Sequence, residues 1–252
     1  MKIIRSIRDR KLIIERKNRY ISISGYGKIV VCDTVEAGAS IRLLLVNGTR
    51  ESATFTTPGL RNEPVFEYLR TIAEILRKRE ASRHALILGG AGYAFPKMFI
   101  SRYPDATLDV IENNPEMPQI ARKYFYLDEL YETYDLDRTG RLTTTIDDGL
   151  HFLQNCKRRF DLIINDAFVG NIADEGLGSA AGCQAVFDCL EEGGLYLVNA
   201  ITARTGPRAM PGILALETMS RIFGHARMIP VRPDFPSEQN QNVILHAQKG
   251  AK

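Results

Sequence analysis

Two rhythms of apolar and polar positions divide the chain. Between residues 11 and 57 the apolar positions come in short runs rich in Ile, Val, Leu and Thr: KLIIE, RYISISG, GKIVVCDT, SIRLLLVNGTR and ESATFT. The turn signals SGYG, EAGAS and NGT separate them, so short β-strands are predicted. Asn47-Gly48 is the strongest of these signals, because both residues tolerate the positive φ that a tight hairpin needs. A small antiparallel β domain over residues 1–60 is expected. From Glu63 the period lengthens. Val65, Phe66, Leu69, Ile72, Ala73 and Leu76 fall at helical spacing, which predicts an amphipathic helix over 63–79.

From His84 onward strand-length apolar runs alternate with helical patterns. The order is HALIL, a helix from about 95, TLDVIE, and a helix opening at Asn114-Pro115 with Pro at its first position. RLTTTI, GLHFLQNC, FDLIIND, SAAGCQAVFDCLEE, GLYLVNAI and PGILALETMSRIF follow. HARMIPV and NVILHAQ close the chain as an antiparallel pair. Such alternation implies an α/β domain over residues 61–252, with a doubly wound, mostly parallel sheet of seven strands covered by helices on both faces. No internal repeat or low-complexity segment interrupts it.

Composition narrows the function classes. The 252 residues, 44% hydrophobic and 25% charged, suit one large domain with a small appendage. A net charge of +3 is too small to imply a nucleic-acid partner, and the short clusters KRR at 157–159 and RKR at 77–79 read as solvated helix faces. No apolar run approaches the roughly 18 residues of a membrane span. The charged start MKIIRSIRDRKLIIERKNRY lacks the apolar core of a secretory signal. Cys32, Cys156, Cys183 and Cys189 form no CxxC and no metal-like pairing with His84, His151, His225 or His246. Reduced thiols, no metal and a cytoplasmic location are expected.

Chemistry concentrates at strand ends. In doubly wound sheets ligands bind at the carboxyl ends of strands, where strand order reverses. The loop GGAGYA after HALIL carries Gly89, Gly90 and Gly92, which permit a sharp turn and close approach of a ligand to backbone N–H groups. Tyr93, inside it, is placed either to cover a ligand or to pack on the neighbouring helix. A GxGxxG nicotinamide fingerprint read from Gly90 ends on Phe95, too bulky for the close contact that the third glycine provides, which disfavours NAD. Glu112 ends the next strand and suits a ribose diol. Asp147-Asp148-Gly149 follows RLTTTI, and Asp166 ends FDLIIND. Asp148 can accept from an adenine amino group or cap the helix that begins after it. Asp166 can hold or deprotonate an amine. Ser179 has no GxSxG context, so no serine hydrolase is implied.

With these residues in this order the chain resembles the spermidine synthase family, which has the fold of class I S-adenosylmethionine-dependent methyltransferases, Rossmann-like behind a small N-terminal β domain. The family's landmarks are a strand followed by GGGDGG, an acid closing the next strand, an Asp-Gly or Asp-Ala pair before a helix, and DxxDP after a strand. By resemblance Gly89, Gly90 and Gly92 lie in the nucleoside loop, Glu112 is the ribose acid and Asp148-Gly149 the adenine pair. Asp166 falls on the first Asp of DxxDP, the proton acceptor for the attacking amine. AVFDCLEEGGLYLVN and DFPSEQNQNVIL also look like family segments.

Departures from the pattern matter as well. Gly92 stands where the family loop carries an Asp, Val169 and Gly170 replace the second Asp and the Pro of DxxDP, and Phe66 stands near an expected His. A diamine carries two positive charges, and desolvating them without partners costs several kcal/mol each. Asp174 and Glu175 in GNIADEGLGS are candidates for replacement acids.

The resemblance implies a transferase that uses S-adenosylmethionine or decarboxylated S-adenosylmethionine as co-substrate and no metal. A nucleophile, expected to be a small amine, attacks the carbon beside the sulfonium and a neutral thioether leaves. Methyl transfer is preferred to aminopropyl transfer, the polyamine-biosynthetic version, because of the missing acids. The alternative is a non-catalytic nucleoside-binding or assembly protein. A homodimer is expected by resemblance; neither nucleic acid nor membrane is an expected partner.

Overall fold

Six strands open the chain, each hydrogen-bonded antiparallel to the next: β1 (Lys2–Ser6), β2 (Lys11–Arg16), β3 (Arg19–Ser24), β4 (Gly27–Glu36), β5 (Ala39–Val46) and β6 (Thr49–Phe55). The computed structural model describes residues 2–6, 11–16, 19–79, 82–169, 172–173 and 175–250. The β5–β6 hairpin turns on Asn47 and Gly48 with φ of 51° and 88°, the geometry predicted from that pair. Ile41, Leu43 and Ala53 form an apolar cluster that Val65 and Phe66 join. That packing explains why the helix predicted from residue 63 starts later, as α1 (Glu67–Arg77). Burial of Val65 and Phe66 against strands overrides their helical spacing.

The alternating region runs β7 (His84–Leu88), α2 (Ala94–Arg102), β8 (Thr107–Glu112), α3 (Glu116–Tyr124), α4 (Leu127–Tyr134), α5 (Leu136–Thr139), β9 (Leu142–Ile146) and α6 (Gly149–Asn155). It continues with β10 (Phe160–Asn165), the short hairpin β11 (Phe168–Val169) and β12 (Ile172–Ala173), α7 (Glu175–Gly178), α8 (Ala180–Cys189) and β13 (Leu190–Thr202). A 3-10 turn at Pro207–Ala209, α9 (Met210–Phe223), β14 (Ala226–Pro230) and β15 (Gln241–Gln248) complete it. The short helices α4 and α5 were not predicted; Tyr126 and Asp135, in left-handed conformations with φ of 62° and 50°, cut the helical stretch into pieces. The LEE of SAAGCQAVFDCLEE leaves the helix. Leu190 pairs with Phe160 and opens β13.

Seven strands make the second sheet in the order β14-β15-β13-β10-β7-β8-β9. β15 alone runs opposite to the other six strands of this sheet, so the expected mostly parallel, doubly wound sheet is present. Leu153 of α6, Val186 of α8 and Met219 and Phe223 of α9 share an apolar core with Leu86, Ile163, Tyr196 and Leu245 of the strands. The other face of β15 is met by α1.

Two compact units result: residues 1–66, 90–102 and 114–139, and residues 67–89, 103–113 and 140–252. The seven-stranded sheet lies wholly in the second. The division therefore does not follow the single boundary expected near residue 60. Helices α2 to α5 group with the first sheet, and polar side chains tie α2 and α3 to its strands. Lys97 of α2 donates from Nζ to Thr54 Oγ1 of β6 at 2.7 Å and to the Phe125 carbonyl at 2.8 Å, and Ser22 Oγ donates to Glu116 of α3 at 2.9 Å.

Candidate functional site

Strand order reverses between β7 and β10, and the residues just past them are Gly89 and Asp166. A reversal leaves a crevice at the carboxyl edge, because successive crossovers depart to opposite sides. Read along that edge from β9 to β10, the strands end on Ile146 before Asp147-Asp148, on Glu112, on Leu88 before Gly89, and on Asn165 before Asp166. Sheet topology thus brings Glu112, Asp148, Gly149, Gly89 and Asp166 to one edge. Gly90 and Gly92 belong to the other unit.

The turn after β7 is built by backbone. Gly89 N–H donates to the Ile111 carbonyl at 2.8 Å and Asp166 N–H to the Leu88 carbonyl at 2.9 Å, extending the ladder one residue past both strands. Gly89 has φ of +95°, and a Cβ there would stand 2.6 Å from the Asp166 carbonyl oxygen. Glycine is required for both reasons. Gly92 answers a different need, since a Cβ on it would lie 2.6 Å from Ser52 Oγ and 3.1 Å from Phe125 Cδ1. On either side of it Ala91 and Tyr93 hold φ of 41° and 58°, and Tyr93 is fully buried. Phe95, the residue that breaks the nicotinamide pattern, is also buried and stacks on Phe99.

Glu112 is buried at the end of β8 and its carbonyl accepts from Asp147 N–H at 3.1 Å. Asp148 caps α6: one carboxylate oxygen accepts from His151 N–H at 2.8 Å. Capping occupies Oδ1 with one bond, which leaves that carboxylate further accepting capacity. Asp147 is held by Asp148 N–H and by the His151 ring, whose Nδ1 lies 2.9 Å from Oδ1. Gly149 has no room for a side chain without displacing Leu177, 3.2 Å from where a Cβ would be.

Asp166 is the most perturbed acid of this edge. Burial raises its pKa to about 6; hydrogen bonds from Asn199 and Tyr68 pull it back part of the way. Tyr68 Oη donates to Oδ2 at 2.8 Å and Asn199 Nδ2 to Oδ1 at 2.8 Å. Neither partner is charged. The turn that presents Asp166 is fixed by Asn165, whose Oδ1 accepts from Ala167 N–H at 3.1 Å while its Nδ2 donates to Tyr196 Oη at 3.3 Å.

Tyr68 and Asn199 were not singled out from sequence. Tyr68 sits in an amphipathic helix like any core aromatic, and the one signal for Asn199 was a polar residue inside the apolar run GLYLVNAI. The side chains of Val169 and Glu175, and residues Gly170 and Asp174, lie outside the described residues. Among the described residues no three of His, Cys, Asp and Glu are grouped to hold a metal, and no helix is long and apolar enough to cross a membrane.

Residues 65–207, more than half of the chain, match the spermine/spermidine synthase domain. The chain belongs to this family. It is a member of a transferase family with a Rossmann-like methyltransferase fold. A polyamine aminopropyltransferase of Thermoplasma volcanium is 24% identical over 213 residues, 84% of this chain and 72% of that protein. The structure of a probable spermidine synthase from Corynebacterium glutamicum superposes with a TM-score of 0.72 at 22% identity, covering 87% of this chain and 77% of that one. Human methyltransferase-like protein 13, in complex with SAH, superposes with a TM-score of 0.58 at 18% identity, over 73% of this chain and 82% of that one. At such identities the two structural likenesses are likenesses of fold.

Proposed function

We propose that the protein transfers an alkyl group from the sulfonium of S-adenosylmethionine, or of its decarboxylated form, to the nitrogen of a small amine. The observation that carries this reading is Asp166: a half-buried carboxylate at the strand-order reversal, held by two uncharged donors, with its pKa raised to about 6. Glu112 is assigned to the ribose, Asp148 and Gly149 to the adenine, and Gly89, Gly90 and Gly92 to the turn that admits the nucleoside. The amine lone pair attacks the carbon on sulfur, the C–S bond breaks, and its electron pair stays on the neutral thioether. The proton that the incoming ammonium must lose to expose that lone pair goes to Asp166. A base titrating near neutrality suits that task, because it is largely ionised at neutral pH and more basic than an ordinary carboxylate.

Methyl is the group we favour. Gly92 stands in place of a family acid, and its packing against Ser52 excludes a side chain there. Aminopropyl transfer is the second reading, supported by the name of the Thermoplasma relative. Calorimetric titration with each nucleoside, followed by turnover assays with mono- and diamines, separates the two. Binding of intact S-adenosylmethionine with methylated product supports the first. Preference for the decarboxylated ligand with a diamine supports the second, and binding without turnover supports the non-catalytic alternative. A cytoplasmic location and a homodimer complete the proposal; sedimentation checks the latter.

A further inference from the structure

A side-chain amide has two faces, one a donor and one an acceptor, and a half-turn of its last bond exchanges them. Which face Asn199 shows to Asp166 is decided on the next strand. Asn242 of β15 donates from Nδ2 to Asn199 Oδ1 at 2.9 Å, which leaves Asn199 Nδ2 for Asp166 Oδ1. The register makes this contact. Asn199 pairs with Ile244 and Ile201 with Asn242, so the two asparagines are diagonal neighbours on one face of the sheet. The chain of donors runs in one direction: Asn242 to Asn199 to Asp166.

We propose that Asn242 is a positioning residue for the transfer reaction: by fixing the amide of Asn199, it keeps an N–H rather than a carbonyl facing Asp166 and so keeps that carboxylate ionised to receive the amine's proton. The inference rests on the function proposed above and names a residue that reaches Asp166 only through Asn199.

The groups packed around Asp166 support it. Tyr68, from α1, is the titratable side chain that bonds it; β13 contributes the neutral amide of Asn199, and Gly89, after β7, has no side chain to offer. Two neutral donors therefore oppose the burial that favours the protonated acid. With the Asn199 amide reversed, a carbonyl oxygen would face a carboxylate oxygen. Protonating Asp166 relieves that repulsion and creates a hydrogen bond in its place. The acid would then be neutral at the pH where a base is needed.

The experiment compares Asn242→Ala and Asn242→Asp. The first frees the Asn199 amide to rotate. The second supplies acceptors only, which draw the Asn199 N–H away and turn its carbonyl to Asp166. The acid limb of the kcat/KM profile is expected to move to higher pH by roughly one unit in the Asp variant and by less in the Ala variant. A new negative charge raises the limb too, so both changes are repeated in Asn199→Leu, where a relay is absent and a through-space effect survives. A shift that vanishes in that background supports the proposal. One that persists undiminished, or no shift in either single variant, overturns it. Infrared difference titration of the Asp166 carboxyl, referenced to Asp166→Asn, reads the same shift without turnover. If the wild type transfers nothing, the functional reading fails while this titration still decides the role of Asn242.

Discussion

The Cβ that Gly89 lacks would stand 2.6 Å from the carbonyl oxygen of Asp166. One glycine of the proposed nucleoside turn is thus fixed by the backbone of the proposed base, and the two proposed functions are joined by the β7–β10 ladder. Gly89→Ala meets both a φ of +95° and a main-chain clash, neither of which a flexible neighbour can absorb. A loss of about 2 kcal/mol or more in urea unfolding is expected, together with lost transfer as the Asp166 turn shifts. An alanine variant with wild-type stability would show that the turn yields freely.

Asp166→Asn preserves size, exchanges one acceptor oxygen for a donor and removes the base. Transfer is expected to fall by about 10²–10⁴-fold, the usual worth of general-base catalysis. Nucleoside affinity should stay near wild type, since the residues proposed for ribose and adenine are untouched. Unchanged turnover would make Asp166 structural.

Burial of Asp166 also leaves a mark on stability. Its folded pKa, about 6, lies above the ordinary carboxylate value of 3.8. The stability linked to this group is therefore complete below pH 4 and is lost as pH rises through 6, because folding then confines a charge away from water. Unfolding free energies measured from pH 4 to 7 should contain a declining component that Asp166→Asn abolishes.

Lys97 gives the opposite sign in the other unit. Burial, opposed by Glu129 and assisted by Arg61, lowers its pKa to about 7. The folded state prefers the neutral amine, so this contribution is complete above pH 10.5 and is lost as pH falls to 7. Stability should rise over that range by up to about 1.4 kcal/mol per pH unit. Lys97→Met should flatten the rise. An identical pH profile in the variant would mean that the ammonium is accommodated at no cost.

Gly92→Asp restores the acid of the family loop in one step, but its Cβ would fall 2.8 Å from Ser52 Cβ. The single variant is expected to lose about 1–3 kcal/mol by overpacking. Ser52→Gly in the same chain should recover much of it. Strictly additive losses in the double variant would place the clash elsewhere.

Much of this protein is legible in its residues. Short runs rich in Ile, Val, Leu and Thr, punctuated by turn signals such as Asn47-Gly48, specified the first sheet, because hairpin pairing is local and turn chemistry sets it. Alternation of HALIL, TLDVIE, FDLIIND and GLYLVNAI with helical patterns specified the parallel sheet, whose buried strands must be apolar on both faces. Acids closing three strands marked the edge where Glu112, Asp148 and Asp166 stand. Tertiary structure decided the rest. Val65 and Phe66 left their helix for a strand cluster, and α2 and α3 joined the first sheet through Lys97 and Glu116. Gly92 proved to be held by Ser52. Asp166 acquired its partners from α1 and β13, and Asn242 of β15 donates to one of them. Those contacts link residues from 33 to 98 positions apart, and no periodicity encodes them. They exist only once strand order and register have placed the side chains face to face.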